Sequence, residues 1–196
     1  MNILIIADQE SPYIWDHFDK KNFENVEIVV SCGDLKASYL SFIVTMLAVP
    51  VIYIHGNHDV RYSTNPPEGC ICIDDDVFTY KGIKFGGLGG CMEYSGGPLQ
   101  YTEKAMNKRV KKLIKLGKRR GGIDVLITHS PSKNLGDGED LCHQGFQAFY
   151  DIYEKFNISH HFYGHQHLNY SNKTNRCLTY KDIQIVNAFN YYIIEI

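Results

Sequence analysis

The sequence predicts an α/β fold, and three observations predict it. Apolar, β-branched runs recur along the 196 residues, as strands buried on both faces require. Amphipathic helical patterns fall between several of these runs. Five of the runs stop abruptly in polar residues, most of them beside a glycine. The clearest is Val51-Ile52-Tyr53-Ile54, which breaks at Gly56 and then presents Asn57, His58 and Asp59 in succession. In open α/β sheets the carboxyl edge of the strands is where ligands sit.

Composition sets the outer bounds. The length suits one domain with a full core, so 1–196 reads as a single unit without a separate cap. Apolar residues make up 44% and charged residues 21%, ordinary for a globular protein. A net charge of -2 gives no global attraction to nucleic acid. No apolar run approaches the roughly 20 residues that span a bilayer. Met1 to Ile6 lacks a basic region and a cleavage site and reads as a first strand. Six scattered cysteines without a CxxC pair read as reduced thiols, hence a cytoplasmic protein.

The elements follow in order. Asn2 to Ala7 is a strand ending in Asp8-Gln9-Glu10. Ser11-Pro12 reads as a helix N-cap with proline at the first helical position. Val26 to Val30 is a second strand, ending in Ser31-Cys32-Gly33-Asp34, and Ser38 to Leu47 a helix. After the Val51 strand, Ile71 to Ile73, Val77 to Tyr80 and Ile83 to Phe85 read as short strands, the last two a hairpin turning at Lys81-Gly82. The run Gly86-Gly87-Leu88-Gly89-Gly90 lacks the spacing and Lys-Ser/Thr of a P-loop and reads as a close-packed loop.

A helix from Thr102 to Leu116 leads into a basic stretch. Lys108 to Arg120 holds 8 of the 20 basic residues and no acid. It reads as the solvated face of a helix; the alternative is a handle for nucleic acid, but no aromatic residues interleave to stack on bases. Ile123 to Thr128 is a strand ending in His129, and Gly145 to Phe156 a helix. His160 to Tyr163 is a strand ending in Gly164-His165-Gln166-His167. Strands near Arg176 to Tyr180, Ile183 to Val186 and Tyr191 to Ile196 close the chain.

If the strands share a sheet, their polar ends converge. Carboxylates, imidazoles and an amide oxygen are the ligand set of borderline divalent metals such as Mn, Fe or Zn. The carboxylates suffice for two ions, and one such as Asp34 can bridge them.

Taken as a set, the blocks Asp8-Gln9-Glu10, Gly33-Asp34, Gly56-Asn57-His58-Asp59, Thr128-His129-Ser130 and Gly164-His165-Gln166-His167 resemble, in order and kind, the signature of the calcineurin-like metallophosphoesterase superfamily. The resemblance implies a four-layer α/β/β/α sandwich with mixed sheets. It implies one metal held by Asp8, Asp34, His167 and the residue at position 10, and a second held by Asp34, Asn57, His129 and His165. Two divalent ions are expected, Mn first, with Fe, Zn or Mg as alternatives. His58 is then the group that contacts phosphate and protonates the leaving oxygen, Asp59 orients its ring, and Asn57 contacts phosphate oxygens. A histidine such as His143, from the loop after His129, is expected near the substrate. The implied reaction is hydrolysis of a phosphodiester or phosphomonoester by a metal-bridging hydroxide, water's pKa falling from about 15.7 toward 7.

One block departs. The superfamily's first block ends in histidine, and here Glu10 stands there. Either Glu10 ligates through oxygen, and three carboxylates then favour a harder ion such as Mn or Mg, or it turns away and leaves the first site loose. Ligation is preferred, because a carboxylate left unpaired beside Asp8 is repelled. Two other functions compete: a non-catalytic protein–protein scaffold, against which His58 argues, and a nuclease, which rests on the basic stretch alone.

Overall fold

The computed structural model describes residues 1–168 and 175–196. Its strands are β1 (Asn2–Ala7), β2 (Ile28–Ser31), β3 (Val51–Tyr53), β4 (Ile71–Cys72), β5 (Val77–Tyr80), β6 (Ile83–Leu88), β7 (Cys91–Met92), β8 (Gln100–Tyr101), β9 (Val125–Thr128), β10 (His160–Tyr163), β11 (Cys177–Tyr180), β12 (Ile183–Asn187) and β13 (Asn190–Glu195). Its helices are α1 (Pro12–Trp15), α2 (Ala37–Leu47), α3 (Glu103–Arg119) and α4 (Tyr150–Lys155).

Side-chain alternation along the strands decides the layers. In β1, Ile3, Ile5 and Ala7 face one core while Leu4 and Ile6 face another. The first core lies between two sheets, with Ile3, Ile5, Val30 and Ile52 against Phe85, Val125, Ile127 and Phe162. On the outer face of the first sheet, Ile14 of α1 and Leu40 and Ile43 of α2 cover Leu4, Ile6 and Val29. On the outer face of the second, Met106, Val110 and Leu113 of α3 and Ile152 of α4 cover Leu126 and Ile185. The result is the expected α/β/β/α sandwich.

Both large sheets are mixed; β7 and β8 form a separate parallel pair. The first runs β13-β1-β2-β3-β4, parallel except for β13, which pairs antiparallel with β1. The second runs β11-β12-β10-β9-β6-β5, with a parallel centre and antiparallel β11 and β5 at the edges. Parallel centres matter for function, because they put the carboxyl ends of β1, β2 and β3 on one edge and those of β9 and β10 on another.

Several elements differ from the sequence reading. The glycine run is not all loop: β6 continues through Gly86 and Gly87 to Leu88. A Cβ on Gly87 would lie 2.3 Å from the Ile73 carbonyl oxygen, so glycine is what lets this strand approach the first sheet. The helix expected from Gly145 breaks into a 3-10 turn, Gln147–Phe149, followed by α4. Its first residues are held instead by backbone bonds from Phe146 to Pro131 and from Lys133 to Phe146. The helix α3 outlasts its prediction by a turn, and Thr102 caps it by accepting from the Ala105 amide at 3.1 Å. Ser11 precedes Pro12 as expected, yet its hydroxyl makes no cap bond. In the basic stretch, seven side chains are exposed, but Arg109 turns inward. Its guanidinium pairs with Asp74 at 2.6 Å and Asp75 at 2.9 Å and donates to the Gly89 carbonyl. All six cysteines are free.

Candidate metal centre and substrate cleft

The facing sheets bring their carboxyl edges together. Asp8, Asp34 and Asn57 follow β1, β2 and β3, while His129 and His165 follow β9 and β10. Contacts cross from sheet to sheet. His129 Nε2 lies 3.0 Å from Asn57 Oδ1 and 3.3 Å from Asp34 Oδ2. The His165 amide donates to both Asp8 carboxylate oxygens at 2.9 Å. Donor atoms of Asp34, His129 and His165 all lie within 4.8 Å of one another.

Hydrogen bonds behind the two imidazoles set their tautomers. His129 Nδ1 is 2.7 Å from the Cys32 carbonyl, an acceptor only, so Nδ1 carries the proton and Nε2 faces the cluster. His165 Nε2 is 2.6 Å from the Cys142 carbonyl, which puts the proton there and leaves the Nδ1 lone pair.

Backbone strain concentrates at the same place. Asp8, Asp34 and His165 adopt left-handed φ values of 63°, 58° and 67°. Such conformations cost of order 1–3 kcal/mol each in non-glycine residues, and the surroundings must enforce them. Asp59 supplies part of that enforcement. Its Oδ2 accepts from the Asp34 and Gly56 amides, each at 2.7 Å, and so ties the β2 and β3 ends together. The resemblance implies that Asp59 orients the His58 ring; among the described residues no hydrogen bond joins the two. The tie needs glycine beneath it, since a Cβ on Gly56 would lie 2.0 Å from Asp34 Oδ1.

The electrostatics ask for a cation. Burial, opposed by His129 and reinforced by the Asp34 charge, raises the Asp8 carboxyl to about 7. Burial and the Asp34 charge likewise raise Asp59 to about 6. Burial works against charge on both Asp34 and His129, yet their mutual attraction prevails, holding Asp34 down and His129 up. Burial, and then the His129 charge, push His165 down to about 3, so it is a neutral imidazole near pH 7. Two partly buried carboxylates, two imidazoles each held at one ring nitrogen by a backbone carbonyl, and an amide oxygen fit a divalent cation: its charge offsets the crowding of Asp8 against Asp34 and would replace the second proton that Asp34 draws onto His129.

The remaining candidates stand around this cluster. Asp8, Asp34, His58, His143, His165 and His167 line a cleft of about 290 Å³. His143 reaches it from the 3-10 turn Leu141–His143, its ring centroid 5.1 Å from that of His165. His58 is exposed, and its amide donates to Asp34 Oδ1 at 2.8 Å. Glu10 lines a neighbouring lobe, where its carboxylate pairs with Lys36, accepting from Nζ at 3.1 Å and from the backbone amide at 3.3 Å. The carboxylate expected to be repelled beside Asp8 therefore has a counter-ion of its own. His161 is fully buried between Thr128 Oγ1 at 2.7 Å and the Tyr153 hydroxyl at 2.6 Å, a structural position outside the cluster.

Three residues at the site escape the sequence reading. Lys36 and Arg61 line the lobe that holds Glu10. The Tyr94 hydroxyl accepts from Asn57 Nδ2 at 3.4 Å. Lys36 and Arg61 each lie two residues from a motif aspartate, which is the available signal; Tyr94 lies in a loop with none.

This pairing of a four-layer sandwich with a carboxylate–imidazole cluster at the strand ends defines a metallophosphoesterase-type protein. The family profile described as calcineurin-like phosphoesterase matches residues 1–169, and the chain belongs to that family of phosphoester hydrolases. Among solved structures, TT1561 of Thermus thermophilus is similar at 15% identity and a TM-score of 0.63, covering 96% of this chain and 89% of its own. A novel archaeal phosphodiesterase aligns at 18% identity and a TM-score of 0.46, covering 96% and 84%. No curated protein sequence matches. No helix among the described residues is long and apolar enough to cross a membrane.

Proposed function

We propose that the chain hydrolyses a phosphodiester or phosphomonoester with two divalent cations, Mn foremost. The observation that carries this reading is the meeting of Asp34, His129 and His165 donor atoms within 4.8 Å, at the mouth of a cleft that His58 also lines. Asp34, Asn57, His129 and His165 would hold one ion; Asp8, Asp34 and His167 would hold the other, with Glu10 joining if it leaves Lys36. Bound divalent ions supply Lewis acidity and positive charge for attack at phosphorus.

The chain's own groups do the rest. Water adds to phosphorus, the ester P–O bond breaks, and its electron pair leaves with the alcohol oxygen. His58 donates a proton to that oxygen, and the proton from water passes to solvent. General acid catalysis of this kind contributes typically 10²–10⁴-fold. Asn57 would hydrogen-bond the phosphate oxygens, and His143 lines the same cleft as His58. Among the described residues, the basic face of α3 contributes nothing to the two lobes that hold Asp8, Asp34 and His58, which weighs against the nuclease reading.

The test uses metal-stripped protein and a chromogenic phosphodiester, with and without added Mn. We expect Mn-dependent turnover that His58→Ala lowers about 10²–10⁴-fold while bound metal, measured by elemental analysis, is retained. Metal loss in that variant would reassign His58 to a ligand role. No turnover with any divalent ion would favour the scaffold reading.

A further inference from the structure

The cleft has two lobes that share Asp8, Asp34 and His58. The smaller, lined also by His143, His165 and His167, is the metal side. The larger, about 600 Å³, is lined further by Glu10, Lys36, Ser38, Arg61 and Asn65, none of which lines the smaller. That volume lies within the roughly 300–1,000 Å³ of small-molecule sites. His58 stands where the lobes meet. A proton donor must sit beside the oxygen that departs. A phosphoryl group on the metal side, protonated at its ester oxygen by His58, therefore sends its leaving group into the larger lobe.

The charges of that lobe are specific. Lys36 is matched by Glu10 at 3.1 Å. Asp59 is buried and committed to two backbone amides. Asp8 and Asp34 face the proposed ions. Arg61 is exposed, lines the lobe, and has no carboxylate partner among the described residues. It sits in the 3-10 turn Asp59–Ser63, immediately after the Asn57-His58-Asp59 block, so its backbone is anchored to the catalytic segment. A guanidinium offers a planar fork of donors matched to phosphate and carboxylate oxygens. The Ser38 hydroxyl and Asn65 amide add neutral hydrogen-bonding groups to the same wall.

We propose that Arg61 is a specificity residue, and that the substrate is a phosphoester whose departing alcohol itself carries an anionic group, a second phosphate or a carboxylate. This rests on the phosphoesterase reading above and adds the class of leaving group.

The test compares three chromogenic diesters with Mn present: methyl 4-nitrophenyl phosphate, and its analogues bearing a carboxylate or a phosphonate at ring position 3. We expect wild-type kcat/KM to favour at least one anionic analogue about tenfold or more over the neutral diester. Arg61→Ala should collapse that ratio toward the intrinsic reactivity ratio of the esters, and Arg61→Lys should restore part of it. The better analogue tells carboxylate from phosphate recognition. Equal ratios in wild type and Arg61→Ala, with the neutral diester turned over, would overturn the assignment of Arg61 and leave the phosphoesterase reading standing. Failure to hydrolyse any of the three would overturn both.

Discussion

Asp8, Asp34 and His165 show how a few residues can hold an unfavourable backbone for a chemical end. Each sits at φ between 58° and 67°, a region that costs most side chains free energy. The carboxylate of Asp8 accepts from the His165 amide, which fastens these two across the sheets, and Asp34 accepts from the His58 amide at the end of the neighbouring strand. Gly56 is the permissive partner, packed with no room for a methyl group beside Asp34. Gly56→Ala should therefore displace the Asp34 carboxylate, lower unfolding free energy by about 2 kcal/mol or more, and reduce bound Mn. Denaturant titration and elemental analysis would check this; a variant of wild-type stability and metal content would show that the β2 and β3 ends are not rigidly joined.

At the scale of elements, the strand ends are positioned from behind by a helix. Arg109 of α3 reaches Asp74, which also pairs with His55 Nδ1 at 2.8 Å and accepts from the Gly89 amide at 2.7 Å. The network joins α3, the segment after β4 and the end of β3 just before Asn57. Asp74 is nearly buried; burial works against its charge, but His55 and then Arg109 hold its carboxyl below the usual range. A carboxylate with a depressed folded pKa stabilises above its unfolded pKa of about 3.9, and that stabilisation is lost as pH falls through the folded value. Arg109→Ala leaves this charge with one partner fewer, and we expect a loss of about 3 kcal/mol near pH 7. The difference from wild type should be smaller at an acid pH below the lowered folded value of Asp74, where the carboxyl is protonated in both proteins. Denaturation at the two pH values measures it, and a pH-independent difference would count against the ion pair as its source.

Across the whole molecule, the candidate site is a seam. Asp8, Asp34 and Asn57 come from the first sheet, and His129 and His165 from the second. A cation shared by both sets would tie the two sheets together and would bind the folded chain only. At a hundredfold excess over its Kd such a ligand adds about 2.7 kcal/mol. For a chain of this size that is roughly 5–11 °C in Tm. Thermal unfolding of stripped protein, with Mn and then with chelator, should show a rise that the chelator reverses. Unchanged Tm at saturating Mn would mean that the folded chain does not bind Mn in preference to the unfolded one.

The strands, the α/β class and the set of polar strand ends were legible in the amino-acid order, and the motif set carried the four layers. Each rests on a local signal: β-branched runs, period-two burial, and glycine followed by an acid, amide or imidazole. His129, isolated after Val125–Thr128, was legible for the same reason. Packing of the layers settled where Asp59 spends its carboxylate, which counter-ion holds Glu10, that Arg109 turns inward, and that Lys36 and Arg61 share a lobe with His58. These depend on partners 25 or more residues away: Asp34 for Asp59, Lys36 for Glu10, Asp74 for Arg109. A side chain's charge and size are written at its own position, but its partner is chosen by which segments the sheets and helices bring face to face. Long-range hydrogen bonds and ion pairs therefore become visible only after the layers have packed.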